Sequence, residues 1–233
     1  MKFSSDYELV FGAYSSRKIN LNFPGDQAPA RFQIPKLYMP FGFSGFQGDY
    51  GPKKWNIDFA LKGIDEEGGQ TKKFYDFIKD LETKVITHIR DNSEQIFGRL
   101  MPYDAVAAMF NSNIKQSGNY EPKFRVKVDV DGNEHAKANI YDSNGAELMN
   151  IVTEKLHSRQ TGVAIIELCS VYFMNKMFGL TWKLHQLKVY DVKSKDPVPT
   201  PGPQFSSGSW ADDDGGGPIS APEPAFTGFQ FTV

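Results

Sequence analysis

Polar and apolar side chains alternate without a break from Lys123 to Val130. Phe124, Val126, Val128 and Val130 fall on one face of an extended strand, and Lys123, Arg125 and Lys127 on the other. Asp131-Gly132 then marks a turn. The same period of two runs through 54–62, where Trp55, Ile57, Phe59 and Leu61 alternate with Lys54, Asn56, Asp58 and Ala60. Glu8 to Tyr14 and Arg31 to Met39 carry the β-branched and aromatic residues of two further strands. Between 40 and 52, repeated glycine and proline argue against a continuous strand or helix. The period then changes. Phe74, Phe77, Ile78, Leu81, Val85 and Ile89 recur at spacings of three and four, which predicts a helix from about Thr71 to Arg90. A short helix is expected from Ser93, as N-cap, to Phe97, and another turn or two over 104–110. Strands resume at 122–130, at 136–141, at 162–173 and at 180–192, with 151–157 readable as either short helix or strand and 175–179 as a loop. The expected order is three strands, a helical insertion and four strands: a mainly β domain over 1–195.

After Lys195 the composition changes. Residues 196–233 hold seven of the 14 prolines and no Lys or Arg. With so few aliphatics to offset the entropy of ordering, a disordered tail is expected. Its acids include Asp212, Asp213 and Asp214, and its aromatics Trp210, Phe226, Phe229 and Phe231 suit a partner-docking tip.

Charge is segregated the same way. The whole chain has a net charge of -2, but the tail contributes five acids, so residues 1–195 carry 26 basic against 23 acidic side chains, or +3. A mildly basic body with an anionic tail suits a polyanion-binding domain. The one cysteine, Cys169, excludes an intrachain disulfide. No apolar run has the length of a membrane span, so a soluble, intracellular protein without membrane contact is expected.

Signatures of catalysis are missing. The sequence has no Walker-type phosphate loop, no dinucleotide-binding glycine pattern and no nucleophile elbow. One cysteine and four scattered histidines do not make a zinc site. A non-enzymatic protein with neither metal nor cofactor is therefore expected. Binding signatures are better represented. Lys123, Arg125 and Lys127 form a row of cations on one sheet face, a suitable track for a phosphodiester backbone. Residues 38–55 gather Tyr38, Phe41, Phe43, Phe46, Tyr50 and Trp55 around Lys53 and Lys54, and Tyr172, Phe178 and Trp182 surround Lys176 and Lys183. Rings beside cations are what unpaired bases stack on.

The order of elements over 30–192 resembles the single-stranded DNA-binding proteins of short-tailed phages and their relatives in large nucleocytoplasmic DNA viruses. The similar stretches are Lys54-Trp55-Asn56-Ile57-Asp58-Phe59, the helix from Thr71, Lys123-Phe124-Arg125-Val126-Lys127, Ile140-Tyr141-Asp142-Ser143-Asn144-Gly145 and the strand Trp182 to Val189. The resemblance implies an OB-fold-like five-stranded barrel with an inserted α-helix, binding single-stranded DNA with little sequence preference in DNA replication, recombination or repair. It also implies a tail that recruits polymerase, primase or helicase and competes with DNA, in the host cell where viral or phage DNA replicates. On that reading Lys54, Lys123, Arg125, Lys127 and Lys183 contact phosphates, and Phe43, Trp55, Tyr172 and Trp182 stack on bases. Two departures weaken the tail's carry-over: five acids in 38 residues is sparse, and Phe231 is followed by Thr232 and Val233. Self-association stays open, as does the alternative of a virion assembly protein whose tail makes the subunit contacts.

Overall fold

The computed structural model describes residues 8–25, 28–49 and 51–190. Within them, two short strands, β1 (Val10–Phe11) and β2 (Lys18–Asn22), are followed by β3 (Ala30–Gln33), β4 (Leu37–Met39), β5 (Phe43–Phe46) and β6 (Lys54–Ala60). Three helices come next: α1 (Gln70–Asp91), α2 (Ser93–Phe97) and α3 (Tyr103–Ala107). The chain returns to β7 (Phe110–Asn111), β8 (Ile114–Lys115), β9 (Lys123–Val128) and β10 (Asn139–Tyr141), and ends in the long strands β11 (Gln160–Met174) and β12 (Met177–Tyr190).

Five of these strands close a ring. β4 pairs with β6, β6 with β9, β9 with β12, β12 with β11, and β11 returns to β4. Every pairing is antiparallel except β9 with β12. Taken in chain order, the five strands lie 1-2-3-5-4 around the ring, the closed Greek-key arrangement of an OB-type barrel. The expected mainly β barrel with an inserted helix is what the chain forms, with α1 inserted between the second and third barrel strands.

Closure depends on β11 and β12. Asn175 and Lys176, with φ of 52° and 63°, turn the hairpin between them, as a two-residue primed turn requires. The 175–179 stretch read as a loop is therefore a tight turn flanked by strand. Along its other edge β11 pairs in succession with β4, β3 and β2. The register slips twice, at Ile165/Ile166 and at Leu168/Ser170, and bulges of this kind bend a long strand enough to curl a sheet. Pro35, which has no N–H, separates β3 from β4, while Ile34 keeps a backbone bond to Ala164 at 2.9 Å.

The apolar stripe of α1 is buried as its spacing predicts: Phe74, Phe77, Ile78, Leu81, Val85 and Ile89 all lie in the core. Phe74 meets Phe124 edge-on at 5.2 Å, and Phe77 lies 5.0 Å from Phe32. Phe32 and Phe124 in turn flank Trp182, so the helix and the barrel share one interior. α2 starts at Ser93 with Asn92 as its N-cap, one residue earlier than expected. Ser93 is instead buried, its hydroxyl accepting the Met101 N–H at 3.0 Å.

Two local expectations are corrected. Residues 43–46 do form a strand, paired with β6 from Phe43↔Ile57 to Phe46↔Lys54. The glycines are part of that arrangement: Gly42 sits at φ 60°, and a Cβ there would lie 2.1 Å from the Leu156 carbonyl oxygen. Residues 151–157 are neither helix nor strand beyond a single bridge at Ile151, because 154–159 runs as a series of turns.

Candidate nucleic-acid interface

Because side chains alternate along a strand, the outward faces of β6, β9 and β12 present Lys54 and Asn56, Lys123, Arg125 and Lys127, and Thr181 and Lys183. The pairing register brings them together. Asn56 stands opposite Lys127, Asp58 opposite Arg125, and Lys127 opposite Lys183. On the same edge of β9 as β12, β8 places Lys115 opposite Lys123. One sheet face thus holds two directly opposed lysine pairs. Like charges placed directly opposite one another destabilise a sheet, so folding alone gives no reason to collect them.

The two pairs are managed differently. Lys127 and Lys183 share Asp129, at 2.8 and 2.5 Å. Burial pushes the Asp129 carboxyl up, but hydrogen bonds and charge from both lysines outweigh it and hold it below the usual carboxylate range. The hydrogen bond to Asp129 likewise raises the Lys183 ammonium. Lys115 and Lys123 have no carboxylate within ion-pair distance among the described residues. Lys115 donates to the Asn111 side-chain oxygen at 2.7 Å. Burial, and then the Arg125 guanidinium, push its ammonium below the ordinary lysine value, despite the opposing pull of Glu82 and Asp58. Lys123 sits over the Phe41 ring, 4.7 Å from its centre. Arg125 makes a two-pronged bond to Asp58, at 2.8 Å on each arm, and Asp58 is 1% exposed. That bond raises the guanidinium's pKa and fixes its plane.

The segment 111–115 bridges β12 and β9, pairing with β12 at Asn111 and with β9 at Ile114–Lys115, and lines a groove there. Asn113 fixes the segment to β9, its carbonyl accepting from the Arg125 N–H at 2.9 Å and its side-chain amide donating to the Arg125 carbonyl at 3.2 Å. Ser112 donates to the buried carboxylate Glu82 on α1, which Lys79 also holds at 2.9 Å. Asn111 donates to the Tyr172 hydroxyl at 2.8 Å. The groove has a volume of about 500 Å³ and is lined by Phe46, Lys54, Asn56, Asn111 to Asn113, Lys115, Arg125, Lys127, Tyr172 and Leu180 to Trp182. Four cations line it and no carboxylate does. Amides, hydroxyls and fixed cations are what phosphate and base edges bond to, and rings at the rim give bases a flat surface.

The expected site residues divide on this structure. Lys54, Arg125, Lys127 and Tyr172 line the groove, and Lys123 and Lys183 flank it on the same face. The stacking roles expected of Phe43, Trp55 and Trp182 are corrected: these rings are 0, 2 and 1% exposed. Trp182 touches the groove's floor but is packed against Phe32 and Phe124, leaving no open ring face. The exposed ring at the groove is Phe46, at 65%. Phe46 belongs to the ring cluster of 38–55 but not to the residues expected to stack, and Lys115, Asn111 and Asn113 are not among the expected site residues. Only the odd spacing from Phe43 to Phe46 hinted that the two rings leave the strand on opposite faces. Trp210, Asp212, Asp213, Asp214, Phe226, Phe229 and Phe231 lie outside the described residues. Among the described residues no cluster of His, Cys, Asp and Glu is arranged to hold a metal ion, and no helix is long and apolar enough to cross a membrane.

Solved structures to which the chain is similar include gp2.5, a single-stranded DNA-binding protein encoded by bacteriophage T7, at 13% identity and a TM-score of 0.44, covering 73% of this chain and 91% of that one. The single-stranded DNA-binding protein of bacteriophage Enc34 is similar both in complex with single-stranded DNA, at 13% identity and a TM-score of 0.42 over 82% of this chain and 98% of that one, and as a C-terminal truncation, at 12% and 0.45 over 82% and 97%. These likenesses are distant. No curated protein matches the chain by sequence. The model of a family of unknown function, DUF5871, matches residues 70–201, from the start of α1 past the end of β12. That match spans more than half of the chain, which therefore belongs to the DUF5871 family.

Proposed function

We propose that the groove over β6, β9 and β12 binds single-stranded DNA with little sequence preference, and that the protein works without catalysis. The observation that carries this reading is the pair of opposed lysines, Lys115 and Lys123, beside a groove with four cations and no carboxylate. A polyanion relieves their repulsion, and a folded protein without such a ligand gains nothing from it. The exposed ring of Phe46 and the partly open ring of Tyr172 favour unpaired bases over a duplex, whose bases are already stacked. Protection of single strands during replication, recombination or repair is the role that suits such a surface. The acidic, aromatic segment 196–233 would then recruit replication partners.

Titration of labelled oligo-dT at two salt concentrations tests this. Binding should weaken as salt rises, with a log–log slope of about -0.7 for each phosphate contacted. No binding at low salt would sink the proposal and leave a virion assembly role as the better reading.

A further inference from the structure

A second groove, of about 580 Å³, adjoins the first on the other side of β5. Pro40, Phe41 and Ser44 form one wall, and the turns Glu154–Lys155 and Ser158–Arg159 the other. The two grooves are continuous in register, since Ser44 in the second pairs directly with Asn56 in the first. We propose that a bound single strand continues from the first groove across β5 and β6 into this second one, where Lys155 and Arg159 hold its phosphates and Phe41 takes a base. This rests on the function proposed for the first groove and extends it to a longer contact.

Three observations support the extension. Phe41 is 48% exposed, and the ammonium over its ring belongs to Lys123, so the ring meets the end of the β9 cation row. Lys155 and Arg159 are exposed and form no ion pair among the described residues. The nearby acid, Glu154, is already matched by Lys53 at 2.8 Å and by the Gly45 N–H at 3.2 Å. The wall is also built rather than loose. Lys155, His157 and Arg159 are all left-handed, at φ 63°, 61° and 60°, a conformation that non-glycine residues hold only when their surroundings impose it. Backbone bonds from Lys155 to Phe43, from Phe43 to Leu156 and from Arg159 to Met39, each 2.8–2.9 Å, impose it here.

The test uses the full-length chain and dT oligomers of about 5 and about 16 nucleotides, the span of site sizes found for single OB barrels. The variant K155Q/R159Q should bind the long oligomer about tenfold more weakly, with its salt slope shallower by about 1.4. It should bind the short oligomer as the wild type does, and melt at the same temperature. F41A should show the same dependence on length. Equal affinities of wild type and variants for both oligomers overturn the second groove while leaving the first intact, as does an equal loss at both lengths. If the wild type binds neither oligomer, the function of the first groove fails and this extension fails with it.

Discussion

Lys115 faces Lys123 across the β8–β9 pair, and no carboxylate bridges them among the described residues. Lys115 is half-buried, and its charged form is disfavoured by burial and by Arg125. A base whose pKa is lowered by folding weakens the fold below its folded value and stops doing so as the pH rises towards 10.5. Lys115→Met should therefore leave the melting temperature at neutral pH unchanged or raise it. A charge-assisted contact of this kind is worth about 1.5 kcal/mol, so the same variant should bind single-stranded DNA about tenfold more weakly. Since bound phosphate favours the ammonium, wild-type affinity should fall more steeply than that of the variant as the pH rises from neutral towards 10.5. Calorimetry and fluorescence titration across this range check both statements.

Asp129 neutralises part of the cation face by pairing with both Lys127 and Lys183. Its pKa is lowered by Lys127 and Lys183, so its contribution to stability is present above the ordinary carboxylate range and is lost as the pH falls through the lowered value. Asp129→Asn should bind oligo-dT more tightly and with a steeper salt dependence. It should also lose stability at neutral pH, by about 1 kcal/mol because both lysines are partly exposed and screened. Unchanged affinity would mean that Lys127 and Lys183 do not meet the ligand.

Phe46 and Phe43 separate binding from folding within a single strand. Phe46→Ala removes a ring that is 65% exposed, so stability should hold while affinity drops by the value of one stacked base, about 1–3 kcal/mol. Phe43→Ala empties a fully buried site and should destabilise the barrel by about 3–5 kcal/mol. If Phe46→Ala binds normally, the base-stacking part of the proposal is wrong.

Asp58 is nearly inaccessible and owes its charge balance to Arg125. Arg125→Met leaves that carboxylate buried without its partner and should cost about 3 kcal/mol, the lower end of the range for broken buried pairs because the guanidinium itself is half open to solvent. Pairing it with Asp58→Leu should restore much of the stability but none of the DNA affinity. Chemical denaturation together with oligo-dT titration of the two variants distinguishes a structural Arg125 from one that also serves the groove.

The periodicities determined most of the local structure. The period of two in 123–130 and the three-four spacing of 74–89 led to β9 and α1 within a residue or two, because a half-buried strand and a half-buried helix each need one apolar face. The cation row Lys123, Arg125 and Lys127 followed from the same geometry. So did the inward direction of Trp55, which shares its face with Ile57 and Phe59, although its ring and the nearby lysines suggested stacking. Tertiary structure decided which strands became neighbours. That Lys115 meets Lys123, that Lys183 meets Lys127 through a parallel pairing, and that Ser44 joins two grooves all depend on contacts between distant parts of the chain. A strand's own sequence specifies which side chains share a face. Which partner that face adjoins is settled only when the whole barrel closes and the buried surfaces of all its strands are matched at once.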